Sequence, residues 1–226
     1  MAGRDGDAPL DAAFVVEWIR ELAGQIREQR DYLTQLDAAI GDADHGINMD
    51  RGLTEAVSIV PRAEGRSPGE VLQAVGRTII NTVGGAAGPL FGGGLRSAGR
   101  RLGEQSTFDA EDLLAAMRAG LESIQALGAA SVGDKTIVDA YVPALEAFER
   151  ELRAGRDLAS AATRAREAAE EGMRSTIPLQ ARKGRASYLG PRSVGHQDPG
   201  ATSTALLFVA LERTARARLA VTEERP

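Results

Sequence analysis

Residues 10–30, LDAAFVVEWIRELAGQIREQR, decide the fold class. Phe14, Val15, Trp18, Ile19, Leu22 and Ile26 recur at steps of three and four, which lines one face of a helix. Asp11 stands where that helix needs an N-cap. The pattern returns along the chain. Ser67-Pro68-Gly69-Glu70 combines an N-cap serine, a proline at the first helical position and a glutamate that completes a capping box, which predicts a helix running to about Val83. Further helices are expected over 48–62, 89–103, 109–127, 134–154, 157–176 and 199–219, several closed by glycines such as Gly103, Gly128 and Gly155. That makes about eight helices, with no alternating strand pattern and no short internal repeat. An all-α fold is expected.

Composition agrees, because Ala, Leu, Arg and Glu dominate while aromatic residues make up only 4% of the 226 residues. This length suits one domain, expected over 10–220 between a flexible N-terminal tail, 1–9, and a short C-terminal tail, 221–226. With no cysteine, zinc-finger, iron–sulfur, thiol-catalysis and disulfide-scaffold classes fall away. The longest apolar stretches, such as Thr204 to Ala210, are far short of the ~20 residues of a membrane-spanning helix. Met1–Pro9 is polar and acid-containing, unlike a signal peptide, so a cytoplasmic protein is expected, with no membrane partner. A net charge of −5 argues against nucleic acid as a partner and leaves open a small anion held through metal ions.

Function should sit in four connecting segments rich in Gly, Asp and His. The first, residues 37–48, places Asp37, Asp42 and Asp44 near one another between Gly41 and Gly46, with His45 and Asn48 adjacent. Gathered at ~4 Å with an effective dielectric of ~20, each like-charge pair costs on the order of 4 kcal/mol. A divalent cation resolves that cost, and hard carboxylate oxygens without thiolates favour Mg²⁺ or Ca²⁺. The loop lacks the spacing of an EF-hand, so Mg²⁺ completed by a nucleotide phosphate fits better; solvated acids with Asp44 or Asn48 capping the next helix are the alternative.

The second connector, Gly84-Gly85-Ala86-Ala87-Gly88-Pro89, leads into a helix near Leu90 and reads either as a phosphate cradle or as a tight interhelical turn. The third, Gly128 to Thr136, imitates a Walker A loop, but Asp134 intrudes before Lys135 and a helix precedes it instead of a strand. A P-loop is rejected. Asp134 is expected to cap the next helix and Gly128 to end the previous one. The fourth, residues 181–203, runs about twenty residues without apolar periodicity and collects Arg182, Lys183, Arg185 and Arg192, which suits phosphate recognition.

In the same order along nearly the whole chain, Leu36-Asp37 with Ile40 to Gly46 and Asn48-Met49, Gly84 to Ala86 with Gly88 to Gly92, Gly133 to Thr136, and Ala181 to Gly190 with Gly195 to Ser203 resemble the L subunits of bacterial dihydroxyacetone kinases. These are the ADP-binding subunits of the phosphotransferase-system-dependent enzyme. The same fold forms the nucleotide domain of single-chain ATP-dependent dihydroxyacetone kinases, whose preceding substrate domain this chain has no room for. The resemblance implies an eight-helix antiparallel barrel with ADP or ATP and two Mg²⁺ held by loops at one rim. Asp37, Asp42 and Asp44 would ligate the metals. His45, Gly46, Ile47, Asn48, Ala86, Ala87, Gly128, Ile137, Arg185, Asp198, Pro199 and Gly200 would hold the nucleotide, and no residue would act by covalent chemistry.

The bound nucleotide would be rephosphorylated by a phosphohistidine donor, an M-type subunit of the phosphotransferase system, and would pass its γ-phosphoryl to dihydroxyacetone on a separate K subunit. The chain departs from the family pattern at Ala87, where serine is usual, at Gly93 for threonine and at Pro191 for glutamate. The alternatives are a nucleotide-bound regulatory module without catalysis, an ATP-exchanging subunit of an erythrulose-type kinase, and a helical scaffold whose aspartates only cap helices.

Overall fold

A computed structural model describes residues 9–59 and 65–223. The amphipathic run that opens the chain forms α1 (Ala12–Glu28), capped by Asp11, whose carboxylate accepts from Phe14 N at 3.0 Å. α2 (Arg30–Ile40) follows after a break at Gln29, then α3 (His45–Ile59) and α4 (Pro68–Thr82). The expected capping box is present: Ser67 Oγ accepts from Glu70 N, and Glu70 Oε2 accepts from Ser67 N at 2.8 Å. A π-helical turn, Gly88–Gly92, runs into α5 (Gly93–Leu102). α6 (Ala110–Gly128), α7 (Ile137–Arg153), α8 (Leu158–Ser175) and α9 (Pro199–Glu223) complete the set. A two-residue antiparallel bridge, β1 (Leu10–Asp11) on β2 (Thr107–Phe108), is the one departure from all-helical structure among the described residues.

α1 packs on α3 and α9, and the order α3, α4, α5, α6, α7, α8, α9 closes the ring, with α2 outside it against α3 and α9. α4 and α5 run antiparallel: Gly69 meets Gly99 and Gly103, while Gly76 meets Gly92. The approach is reciprocal for Gly69 with Gly99 and for Gly76 with Gly92 at the end of the π-helical turn: a Cβ on Gly76 would lie 2.5 Å from the Gly92 carbonyl and one on Gly92 2.5 Å from the Gly76 carbonyl. Only glycine permits two backbones to come so close. The interior is apolar: Phe208 meets Tyr141 edge-on at 5.3 Å, and Trp18 donates from Nε1 to the Leu207 carbonyl at 3.1 Å. Burial pushes the Tyr141 phenol up. Among the described residues no helix is long and apolar enough to cross a membrane.

Several details differ from expectation for identifiable reasons. α2 departs from expectation, in which residues 31–36 fall in no element and 37–40 in the first connector, because Gln29 breaks the run without a Gly or Pro to announce it. α3 starts three residues before the expected 48, and the end of the expected 48–62 helix lies outside the described residues. α7 is capped by Thr136, not Asp134. Asp139 sits three residues after Thr136 and completes a capping box, while Asp134 turns back to accept from Ser131 N at 2.9 Å. Gly128 is the last residue of α6, and Ala129 beyond it takes the left-handed conformation at φ 46°. The fourth connector is not structureless, since Arg185–Ser193 winds into 3-10 turns broken at Gly190. Of the expected tails, residues 1–8 and 224–226 lie outside the described residues, and 221–223 continue α9.

Candidate functional site

At one end of the ring a cleft of about 360 Å³ opens where the C-terminus of α2, the N-termini of α3, α7 and α9, the Gly84–Ala87 loop, the end of α6 and the 3-10 segment meet. Unpaired N–H groups at converging helix N-termini favour an anion.

The acidic trio stands at its mouth. Asp37 comes from the last turn of α2, Asp42 and Asp44 from the four-residue connector to α3, and their carboxylate oxygens lie within 4.8 Å of one another. The connector wraps around Asp37, whose Oδ2 accepts from Asp44 N at 2.9 Å and from His45 N at 3.1 Å. A Cβ on Gly41 would fall 2.0 Å from Asp37 Oδ1, so glycine is required there for the carboxylate to keep its place. Asp42 pairs with Arg185 of the 3-10 segment at 3.1 Å. Three carboxylates against that one guanidinium leave the cluster negative, and an all-oxygen donor set fits a hard divalent cation.

Opposite the trio lies the N-terminus of α9. Asp198 is buried and accepts from Ala201 N at 2.6 Å. Burial pushes its carboxyl up to about 7, helped by Asp139 and Asp37 and opposed by the Ala201 N–H and by Lys135. His45 is buried beside Ser203, with Nε2 and Oγ 3.1 Å apart. Ser203 gives its one hydroxyl proton to the Gly200 carbonyl, so His45 Nε2 is assigned as the donor. Burial lowers the His45 pKa against the pull of Asp37 and Asp44. Asn48 Oδ1 accepts from Arg51 at 2.8 Å, which turns its NH₂ group toward the Gly84 backbone in the cleft.

The structure gathers His45, Asn48, Ala86, Ala87, Gly128, Ile137, Arg185, Asp198, Pro199 and Gly200 on the cleft wall with the three aspartates. Gly46 and Ile47 are not on it. Successive helical residues turn by about 100°, so His45 and Asn48 face the cleft while Gly46 packs on the Arg30 carbonyl and Ile47 points outward, 52% exposed. Sequence reading missed the apolar wall, formed by Ile40, Leu90, Phe91, Ile124, Ala130 and Val138; of the basic residues of the fourth connector, Lys183 and Arg185 reach the cleft. Leu90 and Phe91 follow the glycine connector directly, a signal that could have found them; Ile124 reads like any core residue.

The Walker-like lysine has a different place. Lys135 is 1% exposed and donates to the Thr176 carbonyl at 2.6 Å and to the His196 carbonyl. Its φ of 63° is one of three positive values at non-glycine residues among those described, and the others, Ala43 and Ala129, each sit in sequence between two residues that line the cleft. Strained backbone concentrates at this rim, as it does at functional sites generally.

The DAK2 domain model matches residues 39–213. The chain is 39% identical to "PEP-dependent dihydroxyacetone kinase, ADP-binding subunit DhaL" of Escherichia coli (strain K12), covering 92% of this chain and 99% of that protein. It is 36% identical to a "D-erythrulose kinase" of Mycolicibacterium smegmatis, of which it spans 35%. The crystal structure of the dihydroxyacetone kinase from C. freundii in complex with AMP-PNP and Mg²⁺ superposes with a TM-score of 0.67 at 24% identity, over 94% of this chain and 36% of that one, a likeness of fold. Match length and identity together place the chain in the DAK2 domain family.

Proposed function

We propose that this chain is the ADP/ATP-binding phosphoryl-transfer subunit of a cytoplasmic dihydroxyacetone kinase, or of a kinase for a related short-chain ketose. The observation that carries the reading is the trio Asp37, Asp42 and Asp44, gathered within 4.8 Å at the mouth of a cleft walled by helix N-termini on one side and apolar residues on the other. The wall of Ile40, Leu90, Phe91, Ile124, Ala130 and Val138 suits a purine ring, and the trio faces where phosphates would lie.

The trio would hold two Mg²⁺, whose chemistry when bound is to neutralise phosphate oxygens and spread the charge of a loose transition state. The chain's own residues then orient the phosphates. The Ala86 and Ala87 backbone N–H groups, the Gly200 N–H in the first turn of α9 and the Asn48 amide offer fixed donors that need no reorganisation as charge develops. Arg185 reaches the same edge through its contact with Asp42. No side-chain nucleophile is required.

The ketose would be carried by a separate K subunit, and a phosphohistidine protein would restore the γ-phosphoryl. Support comes from the rim. Among the described residues the large apolar side chains left exposed include Leu127, Val132 and Tyr188, which lie on the end of α6, the loop after it and the 3-10 segment that frame the cleft. An apolar collar around a phosphoryl-transfer site suits a docking protein that excludes water.

The test is direct. With one Trp and three Tyr the chain absorbs weakly at 280 nm, so retained ADP would dominate the ultraviolet spectrum of the purified protein. Calorimetric titration with ADP and Mg²⁺, followed by a transfer assay with a ketose-bearing subunit and a phosphohistidine donor, should show binding and turnover. A chain that binds no nucleotide with Mg²⁺ present would sink the proposal, and binding without transfer would leave a regulatory module.

A further inference from the structure

Lys135 is a buried cation in the cleft wall that the proposed chemistry does not use. Its ammonium is buried and its two hydrogen bonds go to main-chain carbonyls on different segments, Thr176 just after α8 and His196 just before α9. Thr176 carries the linkage further, because its Oγ1 accepts from Asp198 N at 3.0 Å while donating to the Met173 carbonyl. Next to Lys135, the Asp134 carbonyl accepts from Arg182 N at 3.1 Å, at the root of the segment that carries Lys183 and Arg185. The Lys135 backbone adopts a left-handed conformation that a lysine takes only under compensation, and the side-chain bonds are that compensation.

We propose that Lys135 is a positioning residue of the nucleotide site, its buried ammonium pinning the end of α8 and the start of α9 to the N-terminus of α7 so that Asp198, Pro199 and Gly200 face the cleft. Without a cation there, two buried carbonyls lose their donor and the α9 terminus loses its registration against the Asp37 side of the site. The helical ring has its own apolar core, so the effect falls on the cleft. A free phosphate-binding lysine would instead present its ammonium to the ligand; the bonds to Thr176 and His196 hold this one back.

The inference rests on the proposed nucleotide site, and the absence of cysteine supplies a clean experiment. Lys135→Cys places the only thiol of the chain at this position. Alkylation of the unfolded chain with 2-bromoethylamine and refolding installs a side chain of nearly lysine length bearing an ammonium; iodoacetamide installs a neutral one. The unaltered chain, taken through the same unfolding, is the reference. ADP affinity should fall about tenfold to a hundredfold in Lys135→Cys and in Lys135→Met, the loss expected for charge-assisted hydrogen bonds. Aminoethylation should recover most of it and carbamidomethylation should not. Helical circular dichroism should be unchanged throughout. Full ADP affinity in Lys135→Met, or equal recovery with the neutral adduct, would overturn the proposal. Loss of the helical signal in both variants would also overturn it, since the ammonium would then hold the fold and not the cleft. If the unaltered chain binds no ADP, the nucleotide reading fails first and the inference goes with it.

Discussion

The connector 41–44 and the loop 129–136 border the same cleft, and both carry the residue types expected of a phosphate or metal site. They behave oppositely. The first turns its charges outward: Asp42 and Asp44 open to the cleft while a buried Asp37 organises the backbone beneath them. The second turns its charges inward, with Lys135 buried on two carbonyls and Asp139 accepting from Gly133 N at 2.6 Å and Thr136 N at 2.7 Å. Ligand chemistry belongs to groups left unsatisfied by their own chain. In the 129–136 loop the chain satisfies them itself, and the loop is support.

The sharpest way to break that contrast is to neutralise the outward acids. Asp42→Asn or Asp44→Asn should lower phosphoryl transfer by about a hundredfold or more, because the charge that recruits the cation is lost, with helical circular dichroism unchanged. A fully active variant would remove the metal assignment. Next in size is Gly41→Ala, whose Cβ cannot coexist with Asp37 Oδ1 in its present position. Mg²⁺-dependent ADP affinity should drop about tenfold, the scale of a disturbed ligand shell, while thermal stability stays near its starting value; calorimetry with and without Mg²⁺ separates the two.

Leu127→Glu together with Tyr188→Glu should leave ADP binding intact and reduce transfer to a ketose-bearing partner about tenfold, the order expected for losing interface anchors. Equal loss of ADP binding would mean that the collar belongs to the cleft itself.

Asp198 gives a pH signature. Its folded pKa, about 7, lies above the ordinary carboxylate value of 3.8, so the folded chain binds the proton more tightly. The associated stability is fully present below the lower value and is lost as pH rises through the higher one. Asp198→Asn should flatten that decline, gaining on the unaltered chain at pH 8 relative to pH 4 in nucleotide-free urea unfolding. A slope as steep in the variant would show that other groups set it. The smallest effect is expected at Ala129→Gly. Relief of the left-handed conformation, about 1 kcal/mol, is largely offset by the glycine's greater unfolded freedom, and the melting temperature should move little.

How far the sequence could be read follows from how local each feature is. The trio was legible because its members lie within eight residues and glycines bracket them. The cap of α4 was legible because a capping box is a four-residue signal. α2 was not, since Gln29 interrupts the helix with ordinary φ and ψ and no breaker residue. The cap of α7 went to Thr136 because Asp139, one turn on, could answer it, which a reading centred on Asp134 overlooks. The apolar wall was hidden for a different reason: Ile124 and Val138 obey the same periodicity as the core, and only ring closure leaves them facing a void. Gly46 and Ile47 fell off the wall through helical phase.

The reciprocal glycines of α4 and α5 bear on how a ligand would enter. Backbone against backbone, these helices have no side-chain layer between them to slide on, so the Gly84–Ala87 loop that joins them is mounted on a fixed jaw. The facing wall is built differently, from side chains: the 3-10 segment packs Ala186 with Ile40 of α2 and pairs Arg185 with Asp42, so any adjustment to the shape of a ligand is left to rotamers on that side.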